Sequence, residues 1–217
     1  MKDVKLEGTP LATHFKLSVD LCPCNDKEKE EMRKIHYASA VGSLMFSMVC
    51  ACPDIAHSVG VVSRFLSNLG KQHWQAVKWI LRYLKGASHY CLFFGNPNIV
   101  LEGFTDADMP RDVDSRNSTT GYLYTFAGAV VSWVSRLQKI VSLSTTEAEY
   151  IAATEACKEM LWMQQFLGEL GIKQEKYVLH CDSQSAIHLV KNLAFHSRTK
   201  HIDLRYHWIR HVLKKSI

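Results

Sequence analysis

The sequence predicts two parts: a small helical unit over residues 1–96, then an α/β (α+β) domain over 97–217 built on a mixed sheet with flanking helices. Three observations carry this. Residues 27–86 form apolar-periodic stretches of helical length, punctuated by Pro53 and Gly70. Beyond "GNPN" (Gly95–Asn98) the pattern changes to short β-branched and aromatic runs broken by glycine. After Ser144, helical and strand patterns alternate, and together with the preceding strands they imply a sheet of mixed direction.

Residues up to about Asp26 carry Pro10 and Pro23 and no helical period, so they read as extended and irregular. "KEKEEMRK" then leads into "YASAVGSLMFSMVCAC", which Pro53 stops. "DIAHSVGVVSRFLSN" follows with Asp54 as the expected N-cap, and "KQHWQAVKWILRYLKG" is the third helical stretch. "IVLEGFTDAD" and "GYLYTFAGAVVSWVSRLQKIVSLS" give three strands joined by turns. The "STTEAEY" helix runs to "GELG". "KYVLHCD" reads as a buried strand, "SQSAIHLVKN" as a short helix and "HIDLRYHWIRHVLKK" as a last helix.

Composition is that of a globular protein, 47% apolar and 22% charged. No run is apolar for long enough to span a membrane. The start, "MKDVKLEGTP", lacks the apolar core of a signal peptide, so an intracellular location, cytoplasmic or nuclear, is expected. The seven cysteines are then expected as reduced thiols. Net charge of +5 leans only mildly toward polyanions.

The "STTEAEYIAATEA" helix carries three glutamates. Ser144 followed three residues later by Glu147 is a capping box, which places Glu147 on the solvent side. At ~100° per residue, Glu149 lies roughly 200° around from Glu147. It shares a face with Ala152, Ala156, Met160, Met163 and Leu167, the face expected to pack on the sheet. A carboxylate there is costly unless it is paired with a base or bound to a metal. Glu155 falls at the edge of that face. Asp106 ends the run "GFTD" and Asp182 ends "VLHCD", and strand ends are where α/β sheets place site residues. Two such aspartates with an inward glutamate form an acidic cluster suited to hard cations, Mg²⁺ or Mn²⁺. Taken alone, Glu149 reads first as a helix acid paired with a nearby lysine or arginine; the strand-end aspartates turn the reading toward a metal cluster.

"GFTDAD…DVDSRNSTTGYLYTFAGAVVSW", "SLSTTEAEYIAATEA", "CDSQSAIHLVKN" and "HSRTKHIDLRYHWIR" closely resemble the ribonuclease H domain of copia-type LTR retrotransposon Pol polyproteins. "TPLATHFKLS", "YASAVGSLMFSMVC", "PDIAHSVGVVSRFLSN" and "HWQAVKWILRYLKG" are similar to the tail of the adjoining reverse transcriptase. The resemblance covers nearly the whole chain. It implies a ribonuclease H-like sheet over 97–217 behind a helical reverse-transcriptase remnant over 1–96. It also implies endonucleolytic cleavage of RNA in an RNA–DNA hybrid by a two-metal mechanism, with Asp106, Glu149 and Asp182 as catalytic and metal-binding acids. Other Pol segments would be partners if the chain is part of a polyprotein. The glutamate stands between the two aspartates in sequence, unlike the transposases and integrases of the same fold, whose glutamate comes last.

The chain departs from the family at three places. "DADMPRD" stands where "D-A-D-W-A-G-D" is usual, so the turn after the first strand is expected to differ. No stretch resembles the "Y-V-D-D" polymerase strand, so template copying is not expected of this chain. A further strand and an "A-D-I/L-x-T-K" helix, whose aspartate supplies a fourth carboxylate in the family, would lie beyond "HVLKKSI". Asp203 is a candidate stand-in, the alternative being a salt bridge to Lys200 or Arg205. On this ground weakened activity is expected, and a relic that only binds nucleic acid, or an interaction module keeping only the fold, stands as the rival reading.

Lys71, Lys78, Arg82 and Lys85 fall in one arc of the third helical stretch, opposite Val77, Ile80 and Leu84. Such an arc is either a backbone-tracking face for nucleic acid or a solvated face of an amphipathic helix. "HSRTKH" offers Arg198 and Lys200 for phosphates and His196 or His201 for proton transfer. Cys22, Cys24, Cys50 and Cys52 are spaced too tightly for a zinc knuckle, so no zinc site is expected there; Cys50 reads as a buried helix residue. Cys91, Cys157 and Cys181 read as small core residues.

Overall fold

In the computed structural model, residues 5–95, 99–109, 114–172 and 174–191 are described. The chain divides into two compact units, Met1–Leu92 with Asp112–Arg116 and Phe93–Arg111 with Asn117–Ile217.

The first unit is helical: α1 (Asp26–Arg33), α2 (Tyr37–Cys50), α3 (Ala56–Ser63) and α4 (Lys71–Gly86), with 3₁₀ turns at Val19–Leu21 and Pro53–Ile55. The charged run and the apolar run are separate helices. Asn25 caps α1 by accepting from the Glu28 amide at 2.8 Å, and Glu28 reaches back to the Cys24 amide. Asp54 does not cap α3. Pro53 opens a 3₁₀ turn, α3 begins after Ile55, and the Asp54 carboxylate accepts from the Tyr83 hydroxyl instead. The core gathers Tyr37, Val41 and Leu44 of α2, Val59 and Val62 of α3, and Val77 and Ile80 of α4. Tyr37 donates to the Val62 carbonyl at 2.7 Å, tying α2 to α3. Cys50, expected inside, is exposed, because the apolar side of α2 that packs runs through Tyr37, Val41 and Leu44.

The start of α4 depends on close packing. A Cβ on Gly70 would lie 1.8 Å from the Leu21 carbonyl oxygen. The Gly70 amide donates to His73 Nδ1 at 2.8 Å, and His73 Nε2 donates to the Ser18 carbonyl at 3.2 Å. The buried ring therefore carries its proton on Nε2 and stacks on Phe65 at 3.9 Å. Desolvation holds its pKa below the ordinary value.

The second unit has the expected class, a mixed sheet with flanking helices. Strands β1 (Glu102–Asp108), β2 (Thr119–Phe126) and β3 (Ala129–Leu137) precede α5 (Thr145–Glu169), and β4 (Val178–Cys181) and α6 (Gln184–Lys191) follow. Sheet order is β3-β2-β1-β4, antiparallel except for the β1–β4 pair, which is parallel. Ala127 and Gly128, at φ 50° and 84°, make the tight turn between β2 and β3. Helix α5 lies on the sheet. Tyr124, fully buried, donates to the Ala156 carbonyl at 2.7 Å. The glycine opposite it in the β1–β2 register, Gly103, has no room for a side chain: a Cβ would lie 2.4 Å from the Tyr124 ring. Leu101, Tyr150, Ile151, Met160, Met163 and Leu167 complete the core. Cys157 is buried there as expected, Cys181 is half-buried, and Cys91 is exposed, outside any core.

Glu147 is the correction that matters most here. It is 3% exposed, not on a solvent face. Ser144 accepts from its amide at 3.2 Å, and Glu147 Oε2 accepts from the Leu143 amide at 2.7 Å. The first three turns of α5 are buried almost all round. Gln138, buried beneath them, donates to Thr120 and the Ala148 carbonyl and accepts from Ser142.

Candidate metal centre

Three elements bring the acids together. Parallel pairing sets Thr105 against Cys181, so Asp106, expected at a strand end but two residues inside β1, comes beside Asp182, which follows β4 directly. Glu149 arrives from the second turn of α5, beside buried Ala148, Ala152 and Ala153 that let the helix approach closely. Asp106 and Asp182 are exposed, whereas Glu149 is 9% exposed.

The Ala107 amide joins two of the acids. It donates to Asp106 Oδ1 at 2.9 Å and to Glu149 Oε1 at 3.2 Å. Glu149 Oε2 is buried and has no hydrogen-bond partner. The Glu149 carboxyl is pushed up to about 7, first by burial, then by the negative charges of Asp106 and Asp182, with the Ala107 amide opposing the shift. A hydrogen bond between the Glu149 and Asp106 carboxyls forms only when Glu149 carries its proton. No base is paired with Glu149 among the described residues; the salt-bridge reading belongs to Glu155 instead, which pairs with Arg136 and Lys158, both at 2.6 Å.

Sequence reasoning missed one member. Cys181 Sγ and carboxylate oxygens of Glu149 and Asp182 all lie within 4.8 Å of one another. The thiol is pushed up by burial, while the Ser183 amide, donating to the sulfur, opposes this. The available signal was its place, the last strand residue before a strand-end acid.

The α4 cations do not form a uniform positive face. Lys71 pairs with Glu31 at 3.2 Å, and half-buried Arg82 pairs with Glu7 at 3.2 Å while lying over the Trp79 ring at 5.6 Å. Lys78 is half-buried and Lys85 exposed. Arg198, Lys200 and Asp203, with His196 and His201, lie outside the described residues, as do residues 110–113 of the turn after β1. No helix among the described residues is long and apolar enough to cross a membrane.

No family model matches the chain. It is 62% identical over 213 residues to the retrovirus-related Pol polyprotein from transposon TNT 1-94 of Nicotiana tabacum, a match covering 98% of this chain and 16% of that protein. It is 47% identical over 133 residues to the secreted RxLR effector protein 161 of Plasmopara viticola, covering 61% of this chain and 94% of that protein. Among solved structures it is similar to the foamy viral protease-reverse transcriptase in complex with RNA/DNA hybrid, with a TM-score of 0.46 and 14% identity over 88% of this chain and 26% of that one. The chain is thus similar to one segment of retrovirus-related Pol polyproteins of transposons and spans only 16% of the length of the Nicotiana tabacum one.

Proposed function

We propose that the sheet unit is a ribonuclease H-type endonuclease domain that hydrolyses the RNA strand of RNA–DNA hybrids by two-metal chemistry. The supporting observation is the convergence of Glu149 on Asp106 and Asp182, with one buried carboxylate oxygen left without a partner. An unpaired buried carboxylate is expensive, and a divalent cation is the group that would satisfy it. The donor set fits: three carboxylates supply hard oxygens of the kind Mg²⁺ or Mn²⁺ takes. Asp106, Glu149 and Asp182 would hold the ions. When bound, such ions supply the Lewis acidity that activates a water and stabilises the leaving oxygen.

The chain's own residues set up that site. The Ala107 amide fixes Asp106 and Glu149 relative to each other, and the β1–β4 pairing fixes Asp182 beside them. Glu149, raised to about 7, releases its proton near neutrality, where cation binding and ionisation favour each other. In this reading the α4 cations Lys71, Lys78, Arg82 and Lys85 meet a phosphate backbone, Lys71 and Arg82 while also paired with Glu31 and Glu7.

The test uses end-labelled RNA annealed to DNA, incubated with Mg²⁺ or Mn²⁺. Internal cuts are expected in the RNA strand, none in duplex DNA, and none after Asp106→Asn or Asp182→Asn. A hybrid that is bound but uncut with either metal would make the unit a binding module. Cutting that survives both substitutions would refute the site.

A further inference from the structure

The Cys181 sulfur gives the acidic cluster a donor that hard-cation chemistry does not use. Its Sγ lies within 4.8 Å of oxygens from Glu149 and Asp182. Ligand atoms on a tetrahedral Zn²⁺ with bonds of 2.0–2.3 Å lie about 3.3–3.8 Å apart, so side-chain adjustments of an ångström or so close the gap. Asp182 is exposed at the strand end and has room to move. A second observation points to a ligand: Glu149 is 9% exposed and its Oε2 has no hydrogen-bond partner. Around these atoms the field is negative, since Asp106 adds a third carboxylate.

We propose that Glu149, Cys181 and Asp182 form a site for a thiophilic divalent ion, Zn²⁺ or Cd²⁺, that competes with Mg²⁺ for the shared carboxylates. A purely oxygen-lined cluster favours Mg²⁺ or Mn²⁺; one thiolate among the donors shifts preference toward Zn²⁺ and its heavier congener. The ion replaces the thiol proton, which leaves to solvent, and the remaining coordination positions are filled by water. Ion binding in itself stands apart from the nuclease reading. The consequence, silencing of Mg²⁺-dependent cleavage by Zn²⁺, rests on that reading.

The test is a Cd²⁺ titration of the reduced protein, followed by the ultraviolet charge-transfer band of a Cd²⁺–thiolate bond. Cys22, Cys24, Cys50, Cys52 and Cys91 are first replaced by serine, leaving Cys181 and buried Cys157, with folding checked by circular dichroism. A saturable band is expected in that background. It should vanish on adding Cys181→Ala, with Cd²⁺ binding weakened at least about tenfold. Glu149→Gln in the otherwise unaltered chain should weaken Cd²⁺ binding by a similar factor, which covers the case in which the multiple replacement fails to fold. No band in the folded background, or a band indifferent to Cys181→Ala, would overturn the proposal. A wild-type chain that shows the band yet never cuts a hybrid would refute the nuclease reading and leave the thiol site standing. Asp106→Asn, outside the thiol site, should abolish cutting while the band remains.

Discussion

Glu149 and Asp106 accept hydrogen bonds from the same donor, the Ala107 amide, at 3.2 and 2.9 Å. One N–H cannot neutralise two carboxylates, and Glu149 Oε2 has no other partner. The folded chain therefore holds the Glu149 proton more tightly than the unfolded chain does. The group is raised from 4.5 to about 7. Between those values the native state binds the extra proton, so stability falls as pH rises from about 4.5 to about 7.

Glu149→Gln should therefore stabilise the sheet unit at pH 7.5–8, by on the order of 1–2 kcal/mol after solvent screening is allowed for. The glutamine keeps an acceptor for Ala107 and offers Asp106 a donor. Urea denaturation at pH 5 and at pH 8 checks this: the difference between the two pH values should shrink in the variant. Equal shrinkage in Glu147→Gln, whose carboxylate is held by the Leu143 amide, would misplace the effect.

His73 acts in the opposite direction on pH. Its Nδ1 must be unprotonated to accept from Gly70, and its pKa is lowered by burial. That contribution is complete above the unfolded value of 6.5 and is lost as pH falls through the lower folded value. The helical unit should lose stability on acidification below pH 6.5, and His73→Gln should remove this dependence while lowering stability at neutral pH. Fluorescence-monitored unfolding across pH 5–8 reads both effects.

Gly103→Ala should destabilise the sheet unit by about 2 kcal/mol or more, because the new Cβ meets the Tyr124 ring at 2.4 Å. That ring is pinned by its hydroxyl on the Ala156 carbonyl and has little freedom to retreat. The double variant Gly103→Ala, Tyr124→Leu should recover part of the loss in a thermal melt.

Ala127 occupies the left-handed region at φ 50° in the β2–β3 turn. Ala127→Gly or Ala127→Asn should relieve about 1 kcal/mol of strain and raise the denaturant midpoint without changing its slope. An unchanged midpoint would show that the turn tolerates alanine without cost.

The order of the described elements and the placement of the three acids on them were legible because each leaves a local pattern: a β-branched run that holds Asp106, another that stops just before Asp182, and a helical period that separates Glu149 from Glu147. The position of Glu147 was not legible. Periodicity assigns one face to solvent only when a helix has one, and the start of α5 is enclosed by the 138–143 segment as well as by the sheet. Asp54 was misread for a related reason: Pro53 inserts a 3₁₀ turn, and Tyr83, distant in sequence, takes up the carboxylate. Arg82 and Lys71 looked like free cations because Glu7 and Glu31 are brought to them only by the fold. Cys181 was signalled locally only by its place before Asp182; its approach to Glu149 is made by the fold.

The most direct test of the central claim is a crystal structure of the chain grown with Mn²⁺, with the metal located by anomalous scattering. The account predicts Mn²⁺ bound by Asp106, Glu149 and Asp182, with a second ion about 4 Å away when a hybrid is present. An Mn²⁺ signal elsewhere, with Glu149 still buried against Ala107 and its Oε2 without a ligand, would contradict it.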